Sequence, residues 1–218
     1  MYTGVKIPGI RPATFNNYEI GGWGEIIKDH LSIDVSAYEL YGTNEIVSVK
    51  LGDGSTENRN SGKTSHRGVE TGVNFKPVKS VSVRFSGAYS EHKFEEFIEK
   101  GNNYNGNEMN SAPHWLHNVE VWYRPEFLKG FRLGAEWQKV GSYYMDPENT
   151  VKYKGYDVIN LRAGYQYNAI EVWCNVLNVM DSYYSYISSK SGSRYSYQLA
   201  EPRNFTIGIS YNLGGLIK

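Results

Sequence analysis

The chain has 218 residues, and 15% of them are aromatic (19 Tyr, eight Phe and five Trp) alongside 23 Gly, the mixture of wide antiparallel β-structures with many strands. Lys plus Arg and Asp plus Glu balance at 23 each, so no net field recruits nucleic acid or an acidic partner. A mean hydropathy of −0.54, with no run near the ~18 apolar residues of a spanning helix, excludes helical membrane insertion; it leaves a barrel open, since barrel strands hide half their residues in a polar lumen.

The opening Met1-Tyr2-Thr3-Gly4-Val5-Lys6 lacks the apolar core of a secretory signal, so either the protein stays inside or its true start lies upstream. Period-two alternation then predicts about nine strands. The first two span residues 16–27 and 31–41 around a tight Lys28-Asp29-His30 turn, with Leu31, Ile33, Val35 and Ala37 opposing Ser32, Asp34, Ser36 and Tyr38. A polar stretch, 42–65, follows. It holds a short strand extension over 45–51 and an exposed loop over 52–63, where Gly52-Asp53-Gly54-Ser55 reads as a turn rather than a phosphate or calcium loop.

Strands over 67–76 and 80–91 turn through Pro77-Val78-Lys79, with Val69, Thr71, Val73 and Phe75 joining Val81, Val83 and Phe85 on one face. After a loop over 93–112 come 116–124 and 131–142, whose apolar sets are Val119, Val121, Tyr123 and Phe131, Leu133, Ala135, Trp137. A loop over 144–154 leads to strands 158–167 and 170–179, separated by Asn168-Ala169. Cys174 lies mid-strand, where it packs rather than reacts, and a single cysteine rules out an internal disulfide framework. The loop 181–201 precedes the terminal strand, in which Phe205, Ile207, Ile209, Tyr211 and Leu213 oppose Thr206, Gly208, Ser210 and Asn212.

Short and long connections alternate along the whole chain. Outer-membrane barrels have this asymmetry, with short periplasmic turns and long extracellular loops, and strands of ten to twelve residues suit a tilted bilayer crossing. The reading is therefore an all-β, antiparallel transmembrane barrel segment, its C-terminus periplasmic. Arg84, Glu120, Arg124, Arg132, Glu136, Arg162 and Gln166 fall on the non-apolar face and suit a watery lumen. A soluble β-sandwich or lipocalin-like barrel satisfies the same alternation and stays open as an alternative.

The residues also carry a resemblance. Asn160-Leu161-Arg162-Ala163-Gly164-Tyr165, Val172-Trp173-Cys174-Asn175-Val176-Leu177-Asn178-Val179-Met180-Asp181 with Tyr183-Tyr184, and Glu201-Pro202-Arg203-Asn204-Phe205 resemble the C-terminal end of TonB-dependent outer-membrane receptors. Upstream, Asn17-Tyr18-Glu19-Ile20-Gly21, Arg67-Gly68-Val69-Glu70, Asn105-Gly106 and Ala112-Pro113-His114 are similar to further strand starts of that family. The resemblance implies a 22-stranded barrel filled by an N-terminal plug, importing ferric siderophores or similar iron complexes with energy passed through TonB. It implies that residues 1–218 are the C-terminal part of such a barrel, the plug and the N-terminal barrel strands being absent from the sequence. It also implies a location in the Gram-negative outer membrane, with outer-membrane lipid, TonB (through the missing plug) and the nutrient complex as partners. The tail departs from the family's usual aromatic end, since Leu213 is followed by Gly214-Gly215-Leu216-Ile217-Lys218. A passive porin-like barrel or a soluble β-sheet ligand-binding protein is the alternative function.

No catalytic constellation emerges, so no enzyme activity, cofactor or resident metal is expected. His114 and His117 are three apart and on opposite faces of a strand, and His92 beside Ser90 and Glu91 reads as a solvated strand end rather than hydrolase machinery. The candidate ligand contacts are aromatic and basic residues of the long loops: Tyr104, Trp115, Tyr143, Tyr144, Tyr183, Tyr184, Tyr186, Arg194, Tyr195 and Tyr197. Such rings offer rigid amphipathic surface and Arg engages an anionic chelate, while an interfacial aromatic belt is the competing role.

Overall fold

The alternating segments assemble into one antiparallel sheet in strict hairpin order, with smaller hairpins at one end. The computed structural model describes residues 10–50, 56–60, 62–99 and 101–213. In chain order the strands are β1 (Thr14–Ile27), β2 (Leu31–Thr43), β3 (Ile46–Lys50), β4 (Thr56–Asn60), β5 (Lys63–Val78) and β6 (Val81–Glu96). There follow β7 (Ile98–Glu99), β8 (Asn102–Asn103), β9 (Trp115–Tyr123), β10 (Phe131–Val140), β11 (Tyr143–Tyr144) and β12 (Lys152–Tyr153). The last are β13 (Tyr156–Tyr167), β14 (Ile170–Leu177), β15 (Ser185–Ser191), β16 (Arg194–Leu199) and β17 (Asn204–Tyr211). The main sheet runs β1-β2-β5-β6-β9-β10-β13-β14-β17, nine strands as the alternation predicts. Among the described residues no strand pairs with the outer edge of β1 or of β17, so the sheet is open.

The loop expected over 52–63 is corrected in part: Thr56–Asn60 forms β4, pairing with β3 in the register Ile46↔Asn60 to Lys50↔Thr56. This segment holds no Gly or Pro, so once a neighbouring strand offers its edge the backbone groups pair there. The Gly52-Asp53-Gly54-Ser55 turn, the opening Met1-Tyr2-Thr3-Gly4-Val5-Lys6 and the tail Gly214-Gly215-Leu216-Ile217-Lys218 lie outside the described residues. Strands β5 and β6 are also longer than expected, 16 residues each, because their polar upper ends stay paired beyond the apolar band. The tight turns place Asp29 and Asn168 at φ 61° and 51°, the left-handed conformation that these short polar side chains tolerate.

Cross-strand register fixes the two faces. Ile33 pairs with Val73, Phe75 with Val83, Val121 with Ala135, Leu161 with Val176, and Val172 with Ile209, so the apolar sets form one continuous face. Its members Leu133, Ile207 and Ile209 are exposed, with no protein layer over them. Aromatic residues rim this face at both ends: Tyr89, Trp115 and Trp137 toward the long loops, and Phe75, Tyr123, Tyr165 and Tyr211 toward the short turns. The nine residues of β9 connect one rim to the other, about 27 Å along a tilted strand, which matches an apolar band about 25 Å tall. Apolar outward, aromatic at both borders and polar inward is the pattern of a membrane barrel wall.

The opposite face is polar and carries large side chains laid over small ones. Trp122 lies across Gly134 and Trp173 across Gly208, where a Cβ would collide with the indole. Of the buried apolar residues, Phe94, Phe97, Tyr104, Tyr143 and Met145 sit at the long-loop end, while Val158 lies in β13 opposite Gln138.

Candidate functional site

Three of the long loops, over 93–114, 141–155 and 178–203, are knitted into a module above the sheet. Phe94 and Phe97 stack at 4.7 Å between ring centroids, with Tyr104 at 5.6 Å from Phe97, and Met109 packs on this cluster. The first and second loops exchange hydrogen bonds: Asn149 Nδ2 donates to the Glu108 carbonyl (2.8 Å), its Oδ1 accepts from the Glu108 N–H (2.8 Å), and Asn107 Nδ2 donates to the Pro147 carbonyl (2.8 Å). The third loop docks through Lys190, whose ammonium lies 2.7 Å from Asp146 Oδ2 and whose N–H donates to the Met145 carbonyl at 2.8 Å. Asp146 is only 1% exposed and also accepts from the Thr150 hydroxyl and the Thr150 N–H. Burial by itself would raise the Asp146 pKa, but Lys190, Thr150 and the backbone donors outweigh it and hold the carboxyl below the usual aspartate value. The same pairing raises Lys190.

The motif residues behind the family resemblance close the base of the third loop. Asn178, at φ 50°, receives an N–H from Ser182 (2.9 Å) and donates to the Ser182 and Glu201 carbonyls at 3.0 and 3.3 Å. Its own N–H reaches Asn160 Oδ1 at 2.9 Å, while Asp181 accepts the Arg203 N–H at 2.9 Å. The Asn and Asp thus tie the start of the loop to its return at Pro202-Arg203.

Below the module, the polar face of the sheet is a network. Glu136 accepts from Asn118 (2.7 Å), Gln138 (2.9 Å), Asn160 (3.0 Å) and Arg162 (2.7 Å), and Arg132 pairs with Glu171. These donors keep a nearly buried carboxylate charged within the wall. Higher up, near the long loops, His66 and His92 face each other across β5 and β6 with their Nδ1 atoms 2.7 Å apart. Among the described residues no group of three or more His, Cys, Asp or Glu stands within reach of one metal ion.

The residues anticipated as ligand contacts divide by environment. Tyr104 and Tyr143 are buried in the loop module, where the Tyr104 hydroxyl donates to Glu148 and the Tyr143 hydroxyl accepts the Ser188 N–H. Tyr144 carries the Lys152 ammonium over its ring. Trp115 packs against Tyr89 with the rings tilted and their centroids 4.6 Å apart, on the apolar face and its upper rim. Tyr184 packs against Tyr156 with tilted rings 4.4 Å apart and meets Tyr186 edge-on, and burial pushes its hydroxyl pKa well up. Tyr183 is 94% exposed, and Tyr186, Arg194, Tyr195 and Tyr197 are exposed on the β15–β16 hairpin. The hairpin therefore gathers a solvent-facing aromatic and basic surface, and Trp115 stands apart from it. His66, Trp122, Asp146 and Lys190 are absent from the sequence-based candidates, because only the fold gives them partners. One signal was available: His66 and His92 are each nine residues out from the Phe75↔Val83 pair of one hairpin.

A sequence profile described as "TonB dependent receptor-like, beta-barrel" matches residues 1–179. Solved structures share the fold. The ferric yersiniabactin uptake receptor FyuA from Yersinia pestis is 19% identical, with a TM-score of 0.72 over 90% of this chain and 29% of that one. The siderophore receptor PiuA from Acinetobacter baumannii is 19% identical, with a TM-score of 0.73 over 90% of this chain and 28% of that one. The copper transporter OprC is 17% identical, with a TM-score of 0.73 over 93% and 32%. The chain thus spans about three-tenths of the length of these structures.

Proposed function

Because the chain belongs to the TonB-dependent receptor β-barrel family, we propose that it is the C-terminal part of an active importer in the Gram-negative outer membrane, carrying a ferric siderophore or similar iron complex. Three observations support this reading together: the nine-stranded wall, its apolar outer face and the pre-built loop module at one end. A passive pore needs no ordered cap. A receptor gains affinity from loops already held in place, because less ordering is lost on binding.

In this proposal the long loops are extracellular, the short turns and the C-terminus periplasmic, and a plug and further barrel strands belong to the same receptor. TonB acts through that plug, so energy coupling lies outside these residues. The exposed hairpin bearing Tyr186, Arg194, Tyr195 and Tyr197, with Tyr183 beside it, receives the cargo: aromatic faces pack on an organic chelator and the guanidinium meets its negative charge. The substrate class follows the iron-complex receptors FyuA and PiuA among the similar structures.

The test is uptake of radiolabelled iron complexes by cells with and without the full receptor. The proposal expects accumulation that needs the receptor and collapses when a protonophore or loss of TonB removes energy. Uptake that persists unchanged without energy would assign a passive pore instead.

A further inference from the structure

We propose that His66 and His92 form a two-nitrogen site for a divalent transition-metal ion of the Cu2+, Ni2+ and Zn2+ class, at the long-loop end of the polar face. The inference rests on the geometry of this pair and not on the import reading.

The two residues are direct cross-strand partners, and their ring centroids are 5.0 Å apart. Their Nδ1 atoms approach to 2.7 Å, so the pair has room for one proton between two nitrogens. The outer nitrogens determine where protons sit. Thr64 donates its hydroxyl hydrogen to Glu45, and the Thr64 oxygen lies 3.0 Å from His66 Nε2. With that hydrogen spent, the oxygen accepts, and His66 Nε2 is the protonated nitrogen. The Glu45 carboxylate, 3.5 Å from the same Nε2, favours the same tautomer. Neutral His66 therefore presents a bare lone pair at Nδ1 toward His92.

His92 Nε2 lies 3.0 Å from the Ser90 hydroxyl, which either donates or accepts there. If the His92 proton sits on Nδ1, it bridges to His66, as the short contact requires without a metal. When it sits on Nε2, both Nδ1 atoms are bare and a cation takes the place of the bridging proton. Metal entry is then balanced by moving one proton within His92 from Nδ1 to Nε2, with none released. Metal-bound imidazoles characteristically donate their other N–H to oxygen, and here both outer nitrogens already face oxygens.

Metal–imidazole distances of about 2.0–2.1 Å at a bent angle put the two nitrogens roughly 3 Å apart, a few tenths beyond the present separation. Imidazole suits this class of ion, Cu2+ most strongly. His114 immediately precedes the next strand, β9, but is engaged by Glu108 at 2.9 Å, so the remaining coordination positions are open to water or to donors of a chelate.

The experiment uses the full protein that contains this chain, in detergent, stripped of metal and carrying no polyhistidine tag. Cu2+ as the aqua ion and as its citrate chelate is titrated separately, with calorimetry and electron paramagnetic resonance as readouts. Saturable binding of one equivalent from either source is expected, with a spectrum showing two coordinated nitrogens. His66→Gln and His92→Gln should each weaken binding at least about tenfold and leave one such nitrogen, whereas His117→Gln, on the apolar face, should change neither. Heat-modifiable gel mobility verifies that each variant is folded, and Ser90→Ala, which keeps both imidazoles, should weaken binding about tenfold with both nitrogens retained. Absence of saturable binding up to roughly millimolar Cu2+, or binding unchanged in both Gln variants, overturns the proposal.

Discussion

Met145 and Ile209 are both apolar, yet Met145 is 2% exposed inside the loop module and Ile209 is 75% exposed on the sheet. The module is built as a small water-soluble protein is, with a stacked aromatic cluster inside and its buried charge, Asp146, paired and hydrogen-bonded. The sheet is built the other way, with a charged network on the inner face around Glu136 and Val, Ile and Leu residues outside, where the ion pairs Lys139–Asp157 and Arg67–Glu91 stand toward the long loops. Water satisfies the first arrangement, and hydrocarbon satisfies the second. The border between the two solvents falls at the rim of Tyr89, Trp115 and Trp137, whose amphipathic rings suit an interface.

The contrast is broken most strongly on the sheet. Ile209→Arg places a charge on the lipid-facing side and should cost about 2–4 kcal/mol or block assembly, while Ser210→Arg, pointing to the lumen, should be much milder. Urea titration of the protein folded into vesicles, followed by tryptophan fluorescence, measures both, and equal losses would refute the facing assignment.

In the module, Lys190→Met leaves Asp146 without its cation but keeps the Thr150 donors. The expected cost is below that of breaking a fully buried pair, because Lys190 keeps partial contact with water. It should be local: faster hydrogen exchange at the Lys190 amide, now bonded to Met145, with β9 and β10 unchanged. Exchange that stays slow at Lys190 would show that the ion pair does not hold the third loop.

The smallest effect is that of pH. Asp146 has a depressed folded pKa, so its stabilising contribution is present above the usual aspartate value and is lost as pH falls through the lowered one. Lys190 is raised, so its contribution is present below the usual lysine value and is lost only as pH rises beyond it. Loop protection should therefore be flat from about pH 5 to 9 and fall only below about pH 4. Protection lost near pH 6 would point to histidine rather than to this pair.

These two regions were unequally legible in the sequence. The wall is written in local alternation: Leu31 to Ala37, Val69 to Phe75 and Phe205 to Tyr211 each announce their faces, because a strand has a period of two whatever it pairs with. Strand limits were missed where polar residues pair above the band, as at Ser65 and Lys93, since nothing apolar marks them. The module had no such code. Lys190 and Asp146 are 44 residues apart on separate loops, and nothing local in the sequence marks the Tyr104 and Tyr143 rings as buried in the module. His66 and His92 lay between these cases: counting outward from the Phe75↔Val83 pair makes them partners, but the turn does not, because Pro77 and Val78 continue β5 and the register shifts between Phe75 and Val78. Asn178 and Asp181 were recognisable as motif residues, yet their work of closing the third loop appears only in their hydrogen bonds.

The central claim is that the apolar face of this sheet meets lipid and the polar face meets water. Nitroxide labels at single cysteines along Asn118, Val119, Glu120, Val121 and Trp122, introduced into the full protein with Cys174 replaced by Ala and reconstituted in bilayers, test it directly. Collision with oxygen should peak at Val119 and Val121, and collision with a water-soluble nickel chelate at Asn118, Glu120 and Trp122, in strict alternation. Uniform accessibility to the nickel chelate at all five positions, or an inverted phase, would contradict it.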